Sequence, residues 1–309
     1  ISAEDCCFGL QKEEMETSLH HVTDSDLPQL KQWLEKFLPN SFKLYCTVRE
    51  TLQGRWRGTT FVTLGWPDIL AVGEGAVPKN SACYEFHMAP PITCVFSPDP
   101  EHVEALLLYP GFLDWSQPIA FQAASEKIRS TITKVSQAKG GNCVLKTNCI
   151  LEASQEELPP RPVPEGLELR ALDADLHTEY VTSTWPHSRN GAAAYIQEML
   201  RRFPSVGLFD KNNECIGLEI GNEYGAMGML HVREEFRGRG LGKIITSQLA
   251  QKYFCDNLPV IAVTIKSNEA ALRMHTSMGF RVMGEVDWVL YYTGNLQELM
   301  DKIGYVDIY

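Results

Sequence analysis

Phe236-Arg237-Gly238-Arg239-Gly240-Leu241-Gly242-Lys243 is the stretch whose residue types and spacing point most directly to chemistry. Its alternating glycines let backbone N–H groups converge on an anion, and a helix starting there adds its dipole. Arg239 and Lys243 reinforce such a site as charges. The stretch is no phosphate-binding loop of the G-x-x-x-x-G-K-S/T kind, and it holds no complete G-x-G-x-x-G. Taken alone, it also fits a plain Gly-rich connection with solvated arginines.

The elements around that loop must aim it. Before it, Ala226–Val232 reads as a strand; after it, Leu241, Ile244, Ile245 and Leu249 recur on one face of a helix. Upstream, a strand at Leu167–Leu172 leads into a helix that Asp173 caps and that runs to about Thr184. A second helix from about Gly191 to Phe203 stops at Pro204, and strands follow at Val206–Phe209 and Ile216–Ile220. Downstream come a strand at Pro259–Ile265, a helix at Glu269–Met278, a turn at Gly279 and strands through Arg281–Tyr292. This alternation predicts an α/β layer fold. The first half is less regular. It predicts a helix at Leu27–Leu38, strands near Phe42–Val48, Thr59–Leu64, Ile69–Val72 and Ile92–Phe96, helices near Pro100–Leu108 and Ala123–Gln137, and a strand at Cys143–Leu151. Between the halves, four prolines fall among Pro159–Pro164, a composition that favours an extended linker. The expected division is therefore 1–158, a linker at 159–166, and 167–309.

The chain has 309 residues, enough for about two domains, and 44% hydrophobic against 22% charged residues, an ordinary globular profile. Its formal charge is −11, and neither half is basic: 13 basic against 20 acidic residues precede Pro159, and 15 against 19 follow. Duplex binding by phosphate neutralisation is therefore not expected. The apolar stretch near Leu258–Ile265 is too short to span a bilayer. Nine cysteines without repeated spacing predict reduced thiols in an intracellular compartment, mitochondrial or cytoplasmic, and no metal site. Cys6-Cys7 and His20-His21 suggest a metal cluster only on paper.

Arg237-x-x-Gly240-x-Gly242 matches the R/Q-x-x-G-x-G/A pyrophosphate loop of the GNAT superfamily of acyl-CoA-dependent N-acyltransferases. Asn268, Ala271 and Gly279-Phe280 match its closing N-x-x-A…G-F signature. The chain resembles the glycine N-acyltransferase branch of that family through Leu38-Pro39-x-Ser41-x-Lys43-Leu44-Tyr45-x-Thr47-Val48 and Trp66-Pro67-Asp68. Trp115, Trp185, Asn190, Phe203-Pro204 and Trp288 extend the resemblance over almost the whole chain. It implies two tandem GNAT-like halves with mixed sheets flanked by helices, only the second half keeping the loop. It implies acyl-CoA or acetyl-CoA as co-substrate, held by Arg237, Gly238, Arg239, Gly240, Leu241, Gly242 and Asn268, and a small amine, such as glycine, as acceptor. Alternatives are acetyl transfer to a protein or polyamine amine, and an acyl-CoA-binding protein with weakened catalysis.

The resemblance also implies roles. The acyl carbonyl lies along Leu230-His231-Val232, so the backbone N–H groups of Leu230 and Val232 are the expected oxyanion donors. The glycine-conjugating relatives carry a Glu where this chain has Ala226, so another base is needed; Glu223, Glu219 and His231 are the nearby candidates. His231 has the most suitable ordinary pKa, about 6.5. Restoring a carboxylate at Ala226 is then expected to raise activity toward glycine. His275 stands where many relatives have the Tyr that protonates the leaving thiolate. Trp185, His187 and Arg189 fall where such folds build the acceptor pocket, and Arg189 could pair an acceptor carboxylate.

Overall fold

The first half opens with β1 (Leu19–His21), α1 (Leu27–Glu35) and α2 (Phe42–Leu52). The computed structural model describes residues 18–304 apart from 76, 78 and 89, so Cys6 and Cys7 lie outside the described residues. Next come β2 (Phe61–Leu64), β3 (Ala71–Glu74), a short helix α3 (Tyr84–Met88), β4 (Ile92–Thr93) and β5 (Val95–Phe96). α4 (Pro100–Leu108), β6 (Ile119–Ala124), α5 (Glu126–Ala138) and the long β7 (Asn142–Ala153) complete it.

The strand expected at Phe42–Val48 is a helix. Phe42, Leu44, Cys46 and Val48 alternate with polar residues and so mimic the period of a strand. The helix is buried nearly all round, so its polar positions are core positions too. Lys43 enters the interior because its Nζ donates to both carboxylate oxygens of Glu74, at 2.6 and 2.7 Å. A buried charge is tolerated when it is paired.

The second half follows its expected order: β8 (Glu168–Arg170), α6 (Ala174–Thr184), α7 (Ala192–Arg202), β9 (Ser205–Phe209), β10 (Cys215–Gly221) and β11 (Met227–Val232). Then come α8 (Leu241–Cys255), β12 (Val260–Ile265), α9 (Glu269–Thr276), β13 (Arg281–Tyr292) and α10 (Leu296–Ile303). Asp173 caps α6 as expected, its Oδ1 accepting from the N–H groups of Asp175 and Leu176.

The strands form a four-stranded sheet, β1-β2-β3-β5, and a mixed nine-stranded sheet, β4-β6-β13-β7-β12-β11-β10-β9-β8. The larger sheet runs through both halves by an exchange of last strands. β7 of the first half lies between β12 and β13, and β13 of the second lies between β6 and β7. Asp287 on β13 fastens the exchange, accepting from Arg129 on α5 at 3.1 Å and from Thr147 on β7 at 2.7 Å. Residues 159–164 hold neither helix nor strand. The chain entering them is tied to α8, where Gln251 Nε2 donates to the Leu158 carbonyl and Ser247 Oγ to that of Pro159.

One core gathers α1, α2, α4 and α5 against the strands of the first half and includes Ala226. A second lies beneath α8. The third joins α6 and α7 to Trp56, Cys83 and Phe86 of the first half, with Phe86 stacked on Tyr195 at 4.2 Å. No described helix is long and apolar enough to cross a membrane.

Candidate functional site

β11 and β12 run parallel but pair only at Met227 and Ala262. Across β10, Leu218 opposes His231 while Ile220 opposes Gly228, so β11 carries one extra residue there. Met229 takes up the bulge with φ +56, the left-handed region a non-glycine residue occupies at a cost. The two strands part beyond the bulge, and a cavity of about 400 Å³ lies at the opening. Leu230, Ala262, Thr264, Asn268 and His275 line it, as do Phe121, Val144 and Trp288 of the exchanged strands and their neighbour β6. Trp185, His187, Arg189, Glu219 and Asn222 also line it, and α10 contributes Met300 and Ile303. The first half's share was not legible in the sequence, because the strand exchange that brings it there is a long-range pairing.

At one end of this opening stands the Gly/Arg loop. Gly238 and Gly240 both have φ +76 and nothing within 4 Å of where a Cβ would stand. They serve the backbone path and leave room above it. Gly240 is the N-cap of α8 and Leu241 its first residue. The backbone N–H groups of Gly238 to Gly242 meet no acceptor among the described residues. That is the unsatisfied set a helix start offers an anion, and it suits a pyrophosphate. The arginines brace the loop: Arg237 Nε donates to the Val232 carbonyl at 2.9 Å and Arg239 to that of Glu235 at 3.0 Å. Gly242 sits where a Cβ would come within 3.2 Å of Met274 Sδ, so its smallness lets α8 approach α9. The N-x-x-A…G-F residues also have local causes. Asn268 caps α9 by accepting from the Ala271 N–H at 3.0 Å. Gly279 has φ +114 with the Glu157 backbone against it, and Phe280 sets its edge against the His275 ring at 5.0 Å.

The expected catalytic residues separate. Glu223 is buried, accepts from the Tyr195 hydroxyl, and is not among the residues lining the cavity. Burial pushes its carboxyl up, with Lys43 pulling the other way. His231 is half-buried, meets Tyr180 edge-on, and does not line the cavity either. Burial and the Arg237 charge lower its pKa. Leu230 lines the cavity; Val232 does not, and its carbonyl is taken by Arg237. Ala226 is 0% exposed and lies in the first-half core, not on the cavity wall. A carboxylate there would meet packed side chains, so no gain from restoring one is expected.

Two buried titratable groups on the cavity wall each keep one polar atom without a hydrogen-bond partner. Glu219 on β10 is 1% exposed, and its Oε2 has no hydrogen-bond partner. Burial pushes its carboxyl up to about 8, the nearby Thr246 hydroxyl opposing. His275 is 5% exposed; its Nδ1 lies 2.8 Å from the Ala271 carbonyl, and its Nε2 has no partner. A carbonyl only accepts, so Nδ1 carries the proton and Nε2 of the neutral ring is an acceptor. The bond leaves Nε2 as the ring nitrogen without a partner. Glu219 was one of three candidates in the sequence. The signal favouring it is a lone carboxylate within the apolar run Ile216–Ile220.

A strand bulge beside a splayed opening, with a glycine-braced helix start at its end, agrees with what the chain matches. Residues 19–204 match the family described as aralkyl acyl-CoA:amino acid N-acyltransferase, and residues 205–289 match FR47-like protein. The chain belongs to the aralkyl acyl-CoA:amino acid N-acyltransferase family. It is an acyl-CoA N-acyltransferase of the glycine N-acyltransferase-like kind. Human glycine N-acyltransferase is 24% identical over 267 residues, covering 80% of this chain and 90% of that one. A mouse glycine N-acyltransferase-like protein is 23% identical, covering 90% and 100%. Among solved structures, a Drosophila protein superposes with TM-score 0.77 at 16% identity over 89% of this chain and 99% of its own. A tandem GNAT protein from the clavulanic acid biosynthesis pathway gives 0.53 at 14% identity, over 91% and 100%. The fold is thus GNAT-like, with mixed sheets flanked by helices. Among the described residues, no cluster of His, Cys, Asp and Glu could hold a metal ion.

Proposed function

We propose that the enzyme transfers an acyl group from CoA to the amine of a small amino acid such as glycine, with Glu219 as general base. The observation that carries this reading is the buried Glu219 carboxyl, its Oε2 without a hydrogen-bond partner, on the wall of the cavity beside the β11 bulge. The pyrophosphate would lie on the N–H groups of Gly238 to Gly242, the thioester at the parted strands near Leu230. The acceptor arrives as an ammonium, and ionised Glu219 takes a proton from it so that a neutral amine attacks. Arg189, also on the wall, is held over the Phe86 ring at 4.1 Å and supplies the positive charge toward which an acceptor carboxylate turns. The similarity to glycine N-acyltransferases supports glycine as acceptor.

CoA release with a panel of amino acids, polyamines and peptide amines tests the reading. Amino acids should be used in preference to amines lacking a carboxylate. Arg189→Met should raise the KM for glycine about tenfold or more while leaving simple amines little changed, because only the former loses a charge partner. Preference for polyamines or peptides would contradict it, as would CoA binding with no release for any acceptor.

A further inference from the structure

We propose that Ile303, backed by Met300 on α10, decides which amino acid is acylated, by filling the space into which a substituent on the acceptor's α-carbon would point. The inference deepens the acyl-transfer reading above and rests on it. That reading fixes two groups of the acceptor: its carboxylate turns to Arg189, and its amine meets Glu219 and the thioester near Leu230. The α-carbon lies between them, so only its substituent is left to be chosen. Glycine has none. The wall beside Arg189 therefore sets the largest amino acid that can be used.

α10 is that wall, and the structure pins it there. The backbone N–H of Asn190, next in the chain to Arg189, donates to the Ile303 carbonyl at 3.3 Å, and its side-chain Nδ2 donates to that of Lys302 at 3.4 Å. Gly304 ends the helix with φ +67, and a Cβ there would come within 2.8 Å of Asn190 Oδ1, so its lack of one lets the helix end press against the loop. At the other end Asn295 caps α10, accepting from the N–H groups of Gln297 and Glu298. Eight residues make a marginal helix in water, so burial of one face holds it. That face carries Met300 and Ile303, 3% and 6% exposed, and both line the cavity together with Arg189. Gln297, Glu298, Asp301 and Lys302 are exposed. The two apolar side chains offer an acceptor's α-substituent contact but no hydrogen bond, so they discriminate by size.

The test compares the kcat/KM ratio of alanine to glycine in full-length wild type, Ile303→Val and Ile303→Ala. One methylene in an apolar pocket is worth about 10–200-fold in discrimination. The ratio should rise about tenfold or more in Ile303→Ala, and by a smaller step in Ile303→Val, which keeps most of the helix packing. Lost packing alone would lower both amino acids together and leave the ratio unmoved. An unmoved ratio overturns the proposal. So does a gain for longer acyl-CoA substrates in its place, which would set α10 against the acyl group. Calorimetry of glycine and alanine binding to the CoA-bound protein repeats the comparison without turnover. Ile303→Ala should gain affinity for alanine relative to glycine by a similar factor, and the absence of that gain overturns the proposal. A wild type that releases no CoA with any acceptor would remove the acyl-transfer reading itself, an outcome the binding comparison keeps distinct.

Discussion

Glu219 and His275 acquire their chemistry from burial. Each is a titratable group of ordinary type, placed where water cannot solvate its charged form, so the carboxyl rises and the imidazole falls. Burial thus moves the two groups in opposite directions within one cavity. Ala226 shows the reverse case, because its sequence position suggests a missing base while its surroundings are packed core. Ala226→Glu should lower the melting temperature and leave glycine-dependent CoA release no higher than wild type, since an unpaired buried carboxylate costs several kcal/mol. Thermal unfolding together with a CoA-release assay checks both halves of that expectation. The sequence offers Glu219 and His275 only as candidates; their exposure and partners are set by α8, α9 and Phe280 around them and are not legible there.

At the scale of elements, the second half was legible because its strands alternate with helices carrying ordinary start and stop signals such as Asp173, Pro204 and Gly279. α2 was not, because a helix buried on all sides loses the polar face that marks its period. The β11 bulge was also hidden, since one extra residue is visible only against the register of β10. The Gly/Arg loop opens α8 as its sequence indicates, and its own test follows from φ +76 at Gly240. A side chain in the left-handed region costs about 1–2 kcal/mol, and a carboxylate there would also face the pyrophosphate. Gly240→Asp should therefore weaken CoA binding about tenfold or more in calorimetry with the fold intact. Unchanged affinity would move the pyrophosphate away from this loop.

The whole molecule is built on the exchange of β7 and β13, which makes each half complete the other's sheet. A proline-rich segment between two halves of similar length reads as a division, but strand pairing between residues far apart in sequence carries no local mark. The exchange predicts a single cooperative unfolding transition, with tryptophan fluorescence and far-UV circular dichroism coinciding; two separated transitions would contradict it. It also explains why first-half residues line the cavity although the Gly/Arg loop lies wholly in the second half. The central claim is that a buried carboxyl on β10 does the work of a base at that cavity. Its most direct test is the pH dependence of kcat/KM for glycine in wild type and Glu219→Gln, each shown to bind CoA. The carboxyl is protonated below its pKa of about 8 and inactive as a base. Wild-type kcat/KM should therefore rise with pH and level off near 8, while Glu219→Gln should lose about 10²–10⁴-fold and the inflection with it. A variant with wild-type rates and the same inflection would contradict the account.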